Sequence, residues 1–169
     1  WYYLCIIMDL FARKIIAWKI SARIDTQLVI DTFSLAYVSR GRPSGVIFHS
    51  DRGSQYTCKR FRMLLDEHNF CASYSKRGYP YDNAVAEAFF RFLKTEEVYR
   101  RVYSTKRQME LSIFNYIEGC YNIDRPHSAN QYLSPSEKEE LYIKHHQNLF
   151  IKGTLNKQNT LSGVQTITN

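Results

Sequence analysis

The apolar positions of this chain switch between a period of two and a period near 3.6, and each switch predicts an element. Residues 2–8 (YYLCIIM) and 14–20 (KIIAWKI) are short aromatic and β-branched runs joined by Asp9 to Arg13, the pattern of an antiparallel hairpin. From Thr26 to about Arg40, residues Leu28, Val29, Ile30, Phe33, Leu35, Ala36 and Tyr37 recur at helical spacing behind an Asp25 or Thr26 cap, and Gly41 and Pro43 end the run. Residues 45–49 (GVIFH) are too short and too β-branched for a helix and predict a buried strand that delivers Ser50 and Asp51 at its carboxyl end. A helix over 58–68, a strand over 70–75 and a loop from Lys76 to Asp82 with Gly78 and Pro80 follow. Helical patterns run from Asn83 to about Arg101 and from Lys106 to about Asn122. Ser134, Pro135 and Glu137 then open a last helix that reaches about His146.

This order predicts an α/β domain over residues 1–146, a mixed sheet flanked by helices and compatible with a ribonuclease-H-like architecture. Residues 147–169, rich in Asn, Thr, Gln and Gly, read as a poorly ordered polar tail. Composition bears on partners more than on fold. Lys and Arg number 23 against 16 Asp and Glu, a formal charge of +7 that favours polyanions without identifying one. No apolar run approaches the ~20 residues that span a bilayer, and no signal-peptide order opens the chain, so a cytoplasmic protein is expected. Cys5, Cys58, Cys71 and Cys120 form no C-x-x-C pair and are expected as buried free thiols, with neither disulfides nor zinc. The sequence opens on Trp1 inside a strand pattern and without an initiator Met, as a piece of something longer would.

Two carboxylates carry the chemistry. Asp51 stands at the end of a buried strand, where ligand sites of open α/β sheets lie, although alone it would read as a turn or cap residue. Glu87 lies in the early turns of a long helix, with 35 residues between the two. That spacing holds one helix, one strand and one loop, enough to bring the helix back across the sheet edge. Facing carboxylates repel unless a hard cation lies between them, and Mg²⁺ prefers oxygen ligands while leaving positions for phosphate oxygens. Two such ions about 3.5–4 Å apart serve in-line displacement at phosphorus, so polynucleotidyl transfer is the natural use. Arg91 and Lys94 fall at i+4 and i+7 from Glu87, so acid and base share one stripe. By itself that stripe would read as a solvated i, i+4 ion pair; beside the carboxylates it suits a phosphodiester.

The blocks HSDRGSQY at 49–56, DNAVAEAFFRFLK at 82–94 and YNIDRPHSANQYLSPSE at 121–137, with the hairpin MDLFARKIIAW at 8–18, resemble bacterial transposases of the insertion-sequence 3 family, relatives of retroviral integrases. The resemblance runs from residue 1 to about 145. It implies a ribonuclease-H-like DDE catalytic domain that uses Mg²⁺ or Mn²⁺ to cut and join DNA in transposition or integration. It further implies a homo-oligomer in the active complex, at the nucleoid when bound to DNA. It assigns Asp51 as the second carboxylate and Glu87 as the third, both as metal ligands, and Lys94 as the basic residue that holds DNA.

Asp9 ends an apolar strand and would complete a triad, yet only one strand pattern and one helix pattern separate it from Asp51. The ribonuclease-H-like order has two strands and a helix there, so Asp9 reads as a turn residue. The family carries its first Asp in a Trp-x-x-Asp-(Ile or Val)-Thr block upstream of the hairpin, which places it before Trp1. In that fold strand one lies between strands two and four. Without it their backbone groups are left unpaired, to be closed by a rearrangement, by a partner or not at all, and the chain alone is expected to be inert. A catalytically inactive DNA-binding remnant is therefore the alternative reading.

The remaining candidates have bland counterparts. His49 is a site residue or a strand-end histidine satisfied locally, and Asn83 suits a helix cap better than a DNA reader. Arg125 and His127 contact DNA or brace the preceding helix. Where the family usually carries Ala-Leu-Gly this chain has Ala129-Asn130-Gln131, and Lys138 replaces a typical apolar residue, which leaves the packing of the last helix open.

Overall fold

The computed structural model describes residues 1–76, 78, 80–151 and 163–168. Strands β1 (Tyr3–Asp9) and β2 (Ile15–Ser21) pair antiparallel, as the hairpin pattern requires. Helix α1 (Thr26–Ser39) starts at Asp25, whose carboxylate accepts from the Leu28 N–H at 2.9 Å. Strands β3 (Ile47–Ser50) and β4 (Cys71–Tyr74) run parallel and are connected through α2 (Ser54–Thr57) and α3 (Lys59–Glu67). Helices α4 (Ala84–Glu96), α5 (Lys106–Phe114) and α6 (Pro135–Ile151) follow, and α5 runs on as a wider π-helix over Asn115–Asp124. The start of α6 is a capping box: the Ser134 N–H donates to Glu137 Oε2 at 2.8 Å, and the Glu137 N–H donates to Ser134 Oγ at 3.3 Å.

The period of two along β1 divides the interior. Leu4, Ile6 and Met8 meet Ala86, Phe89, Phe90 and Leu93 of α4, together with Ile113, Ile117 and Tyr121. Cys5 and Ile7 face the other way, into Phe33 of α1, Phe48 of β3 and Phe61 and Leu65 of α3. The result is three layers, helices on both faces of one sheet.

Some sequence expectations give way here. The helix begun at Ala84 stops at Glu96, and a 3₁₀ turn over Val98–Arg100 replaces its last stretch. The spacing opposite the charged stripe assigns Ala84, Val85, Ala88, Phe89, Phe92 and Leu93 to the core, but the buried residues are Ala86, Phe89, Phe90 and Leu93, with Ala84 exposed and Phe92 half-buried, so the apolar stripe is rotated. Of the cysteines expected to be buried, Cys58 is half-buried and Cys71 and Cys120 are exposed. Among the described residues no helix is long and apolar enough to cross a membrane.

The largest departure concerns the tail. The tail expected to be poorly ordered from residue 147 lies partly outside the described residues; within them, α6 continues to Ile151, and Gly163–Thr168 forms strand β5 in the middle of the sheet, whose order is β2-β1-β5-β3-β4. β5 is antiparallel to β1 and parallel to β3. In this position β5 gives hydrogen-bond partners to the edge of β1 that β2 leaves open and to the edge of β3 that β4 leaves open. β5 thus pairs with both β1 and β3 and joins the hairpin to the parallel pair in one sheet.

Candidate active site

Asp51 follows directly on β3, whose last residue, Ser50, is buried. Its Oδ1 accepts from the Gly53 N–H at 2.7 Å. A Cβ on Gly53 would stand 2.9 Å from that oxygen and 2.7 Å from the Gln55 side-chain amide, so a larger residue there would make the Asp51 and Gln55 side chains shift. The loop is tied to the end of β4: the Ser75 N–H donates to the Ser50 carbonyl at 2.9 Å, and Arg52 Nε–H donates to the Ser75 carbonyl at 3.0 Å. Sequence reasoning named Asp51 but neither Gly53 nor Gln55; the Asp-Arg-Gly order was the available signal.

Glu87 lies exposed in the first turn of α4, which covers the Leu4, Ile6 and Met8 face of the sheet. Phe48 belongs to the opposite core, so the alternation of β3, continued by one residue past Ser50, assigns His49 and Asp51 to the α4 face. The two carboxylates thus come from a strand end and a helix start on one side of the sheet. Arg91 is exposed further along α4, its guanidinium 5.2 Å from the centre of the Phe92 ring, and Lys94 is half-buried in the last turn. The first-turn position of Glu87 also suits the positive end of the helix dipole.

The remaining candidates are held by neighbours. The His49 ring lies between two serines, Nδ1 at 3.0 Å from Ser73 Oγ and Nε2 at 3.2 Å from Ser75 Oγ, which fastens β3 to the end of β4. Asn83 occupies the N-cap position of α4 without a side-chain capping bond. Arg125 forms an ion pair with Glu96 and lies 4.0 Å over the Phe92 ring. Burial pushes the Glu96 carboxyl up, but hydrogen bonds from Arg125 and Tyr116 and the charge of Arg125 outweigh it and hold the group below the usual range. His127 stands edge-on to Tyr121 at 4.9 Å, and burial, reinforced by the charges of Arg125 and Arg13, keeps its imidazole below 6.5.

Two asparagines that the sequence did not single out explain what the 121–137 block does in the fold. Asn122, buried, accepts from the Ile15 N–H and donates to the Ile15 carbonyl, both at 3.0 Å, acting as an extra strand residue at the start of β2. Asn130 donates to the Ala12 carbonyl at 2.7 Å. Between them lies the hairpin turn, where the Asp9 carboxylate accepts from the Phe11 and Ala12 N–H groups at 3.2 and 3.3 Å and faces Arg40 at 3.8 Å. The Asp9 carboxylate is thus engaged in the turn.

Asp51 and Glu87 are hard oxygen donors of the kind Mg²⁺ and Mn²⁺ take. Among the described residues, however, no three His, Cys, Asp or Glu gather closely enough to hold a metal ion. The donor chemistry suits a divalent cation, but the set is short of a site.

Comparison with known proteins places this arrangement. Two family models, each described as integrase core domain, match residues 1–80 and residues 87–141. InsF transposases of insertion-sequence 3 copies in Escherichia coli are 40% identical over 139 residues, 82% of this chain and 48% of theirs. A Lactococcus lactis protein named as an ATP-dependent protease is 56% identical over 95 residues, 56% of this chain but 31% of its own length. The chain thus spans about half the length of the InsF relatives and less of the other. Among solved structures, the catalytic core domain of BIV integrase is similar with a TM-score of 0.55 at 15% identity, covering 87% of this chain and 89% of that one. A chain of the simian T-cell lymphotropic virus intasome gives 0.64 at 16% identity, covering 80% of this chain and 47% of that one. These likenesses show the ribonuclease-H-like integrase fold, and the family is divalent-metal dependent. The sheet with helices on both faces, the two family matches and the identity shared with InsF agree: the chain belongs to the integrase core family, with the insertion-sequence 3 transposases.

Proposed function

We propose that this chain serves DNA transposition or integration as part of a DDE transposase, with Asp51 as the second carboxylate and Glu87 as the third. One observation carries the reading: a carboxylate at the end of β3, fixed by the Gly53 N–H, lies on the sheet face crossed by a helix that presents Glu87, Arg91 and Lys94 in one stripe. The substrate is DNA, at transposon ends and target, and the metal is Mg²⁺ or Mn²⁺, which would take oxygen ligands from Asp51 and Glu87. Arg91 and Lys94 bind the phosphodiester backbone. Gly53 and the serine-held His49 position the strand end, and Arg125 and His127 brace the fold without reading DNA. The active complex contains several copies of the transposase.

The alternative, a DNA-binding remnant without catalysis, is favoured for the isolated chain by the two-carboxylate set. DNA binding followed by fluorescence anisotropy across a salt series tests the common part. Binding weakens with salt, and Arg91→Ala and Lys94→Ala each lower the log–log slope by about 1. Salt-insensitive binding, or none, would sink the reading. Incubation with Mn²⁺ and labelled transposon-end DNA separates the two forms: no product is expected from the chain alone, and cleavage abolished by Asp51→Asn would show it active.

A further inference from the structure

β5 lies in the slot between β1, where Cys5 to Met8 are buried, and β3. Its register places it against the site. Thr166 is level with Ser50 on β3, so one further step on both strands brings Ile167 level with Asp51. Ile167 is also the partner of Ile6, on the face of β1 that α4 covers. Position 167 therefore flanks Asp51 on the side from which Glu87 approaches. Gly163–Thr168 contains no acidic residue, and a hard divalent ion between two carboxylates calls for more oxygen than they supply.

We propose that β5 is an occluding strand: it closes the sheet while setting an isoleucine at the register position from which a third carboxylate would complete the Asp51 and Glu87 site. The inference rests on the reading of those two carboxylates given above. The slot admits an extended segment of one polarity, antiparallel to β1 and parallel to β3. A segment with a carboxylate level with Asp51 competes with β5 for it.

Register and chemistry are tested separately in the full chain. Cys5 is the register partner of Thr168, so Thr168→Cys forms a disulfide with Cys5 on mild oxidation, identified by peptide mass. Absence of that crosslink overturns the strand placement. Ile167→Asp binds Mn²⁺ at least tenfold more tightly than the unaltered chain, read by calorimetry and paramagnetic resonance, and Asp51→Asn in that background removes the gain. Thr166→Asp, on the face that Ile7 shares with α1, gains nothing. No gain from Ile167→Asp, or an equal gain from Thr166→Asp, overturns the proposal. Ile167→His offers a neutral ligand at the same position if the aspartate variant does not fold. If neither variant folds while the crosslink forms, position 167 belongs to the core and the proposal falls. Salt-dependent DNA binding by the unaltered chain is independent of all these outcomes, so failure of the functional reading is seen on its own.

Discussion

The two faces of β1 are built on different principles. On the α1 and α3 side the interior is almost wholly apolar: the Phe33 ring meets Phe48, Phe61 and Phe70 edge-to-face at 5.8, 6.0 and 5.1 Å. On the α4 and α5 side the apolar core is rimmed by polar clamps, Asn122 on Ile15, Asn130 on Ala12 and Arg125 on Glu96. The difference teaches where precision is needed. Edge-to-face aromatics add to stability but tolerate small shifts, whereas hydrogen bonds lose most of their value when donor and acceptor move apart. The clamped face is the one that carries α4, and with it Glu87, Arg91 and Lys94.

The sharpest way to break this comparison is at the centre of the aromatic face. Phe33→Ala is expected to cost about 3–5 kcal/mol, measured by urea denaturation, because the surrounding rings cannot collapse into the space. A loss below about 1 kcal/mol would show that the aromatic face is not the stabilising half. On the clamped face, Asn122→Ala strands the Ile15 N–H and carbonyl and is expected to cost about 2–4 kcal/mol. Asn122→Leu, which keeps the volume, should lose nearly as much; if it is neutral, packing and not hydrogen bonding matters there.

A smaller effect of opposite sign is expected beside the Asn130 clamp. Gln131 holds φ at 58° and ψ at 40°, the left-handed region. The glycine that the family usually carries at this place fits that conformation without a Cβ penalty. Gln131→Gly should therefore stabilise by about 1 kcal/mol, a rise of roughly 2–4 °C in Tm for a domain of this size; no rise would mean that the Gln131 side chain contributes more than its backbone costs.

The smallest expected effect is a pH dependence confined to the clamped face. The imidazole of His127 is held below 6.5, so its neutral form contributes stability that is fully present above that value and is lost as pH falls from 6.5 toward its folded-state pKa. Thermal melts across this range should show a decline that His127→Gln removes. Glu96 and Glu139 act lower: for each, burial raises the pKa, but hydrogen bonds from Arg125 and Tyr116 to Glu96, and from Lys14 and Arg40 to Glu139, bring it below 4.5. Their contribution is present above 4.5 and fades as pH falls through their folded-state values.

Much of this molecule is legible in its residues. The hairpin, the α1 cap at Asp25, the strand ending at Ser50 and the capping box of α6 were each readable, because each depends on groups a few positions apart. The spacing and family blocks single out the carboxylates at 51 and 87, and the reading of Asp9 as a turn residue matches the hydrogen bonds its carboxylate accepts from the Phe11 and Ala12 N–H groups. The rotation of α4 was not readable. Phe89, Phe90 and Phe92 are equally apolar, and Phe92 is turned outward, under the guanidinium of Arg125. Nor could the sequence assign Arg125 to Glu96 or Asn122 to Ile15, since partners so far apart in the chain leave no periodic mark.

The sequence by itself determined the local elements, the two carboxylates and the basic stripe beside Glu87, because backbone propensity, capping and helical spacing act over a few residues. Only the tertiary structure decided what occupies the centre of the sheet. Val164, Thr166, Ile167 and Thr168 have β-branched character, yet they lie in a polar stretch that reads as tail. Their place as a strand is set by partners distant in the chain, the edges of β1 and β3, with which their backbone groups pair.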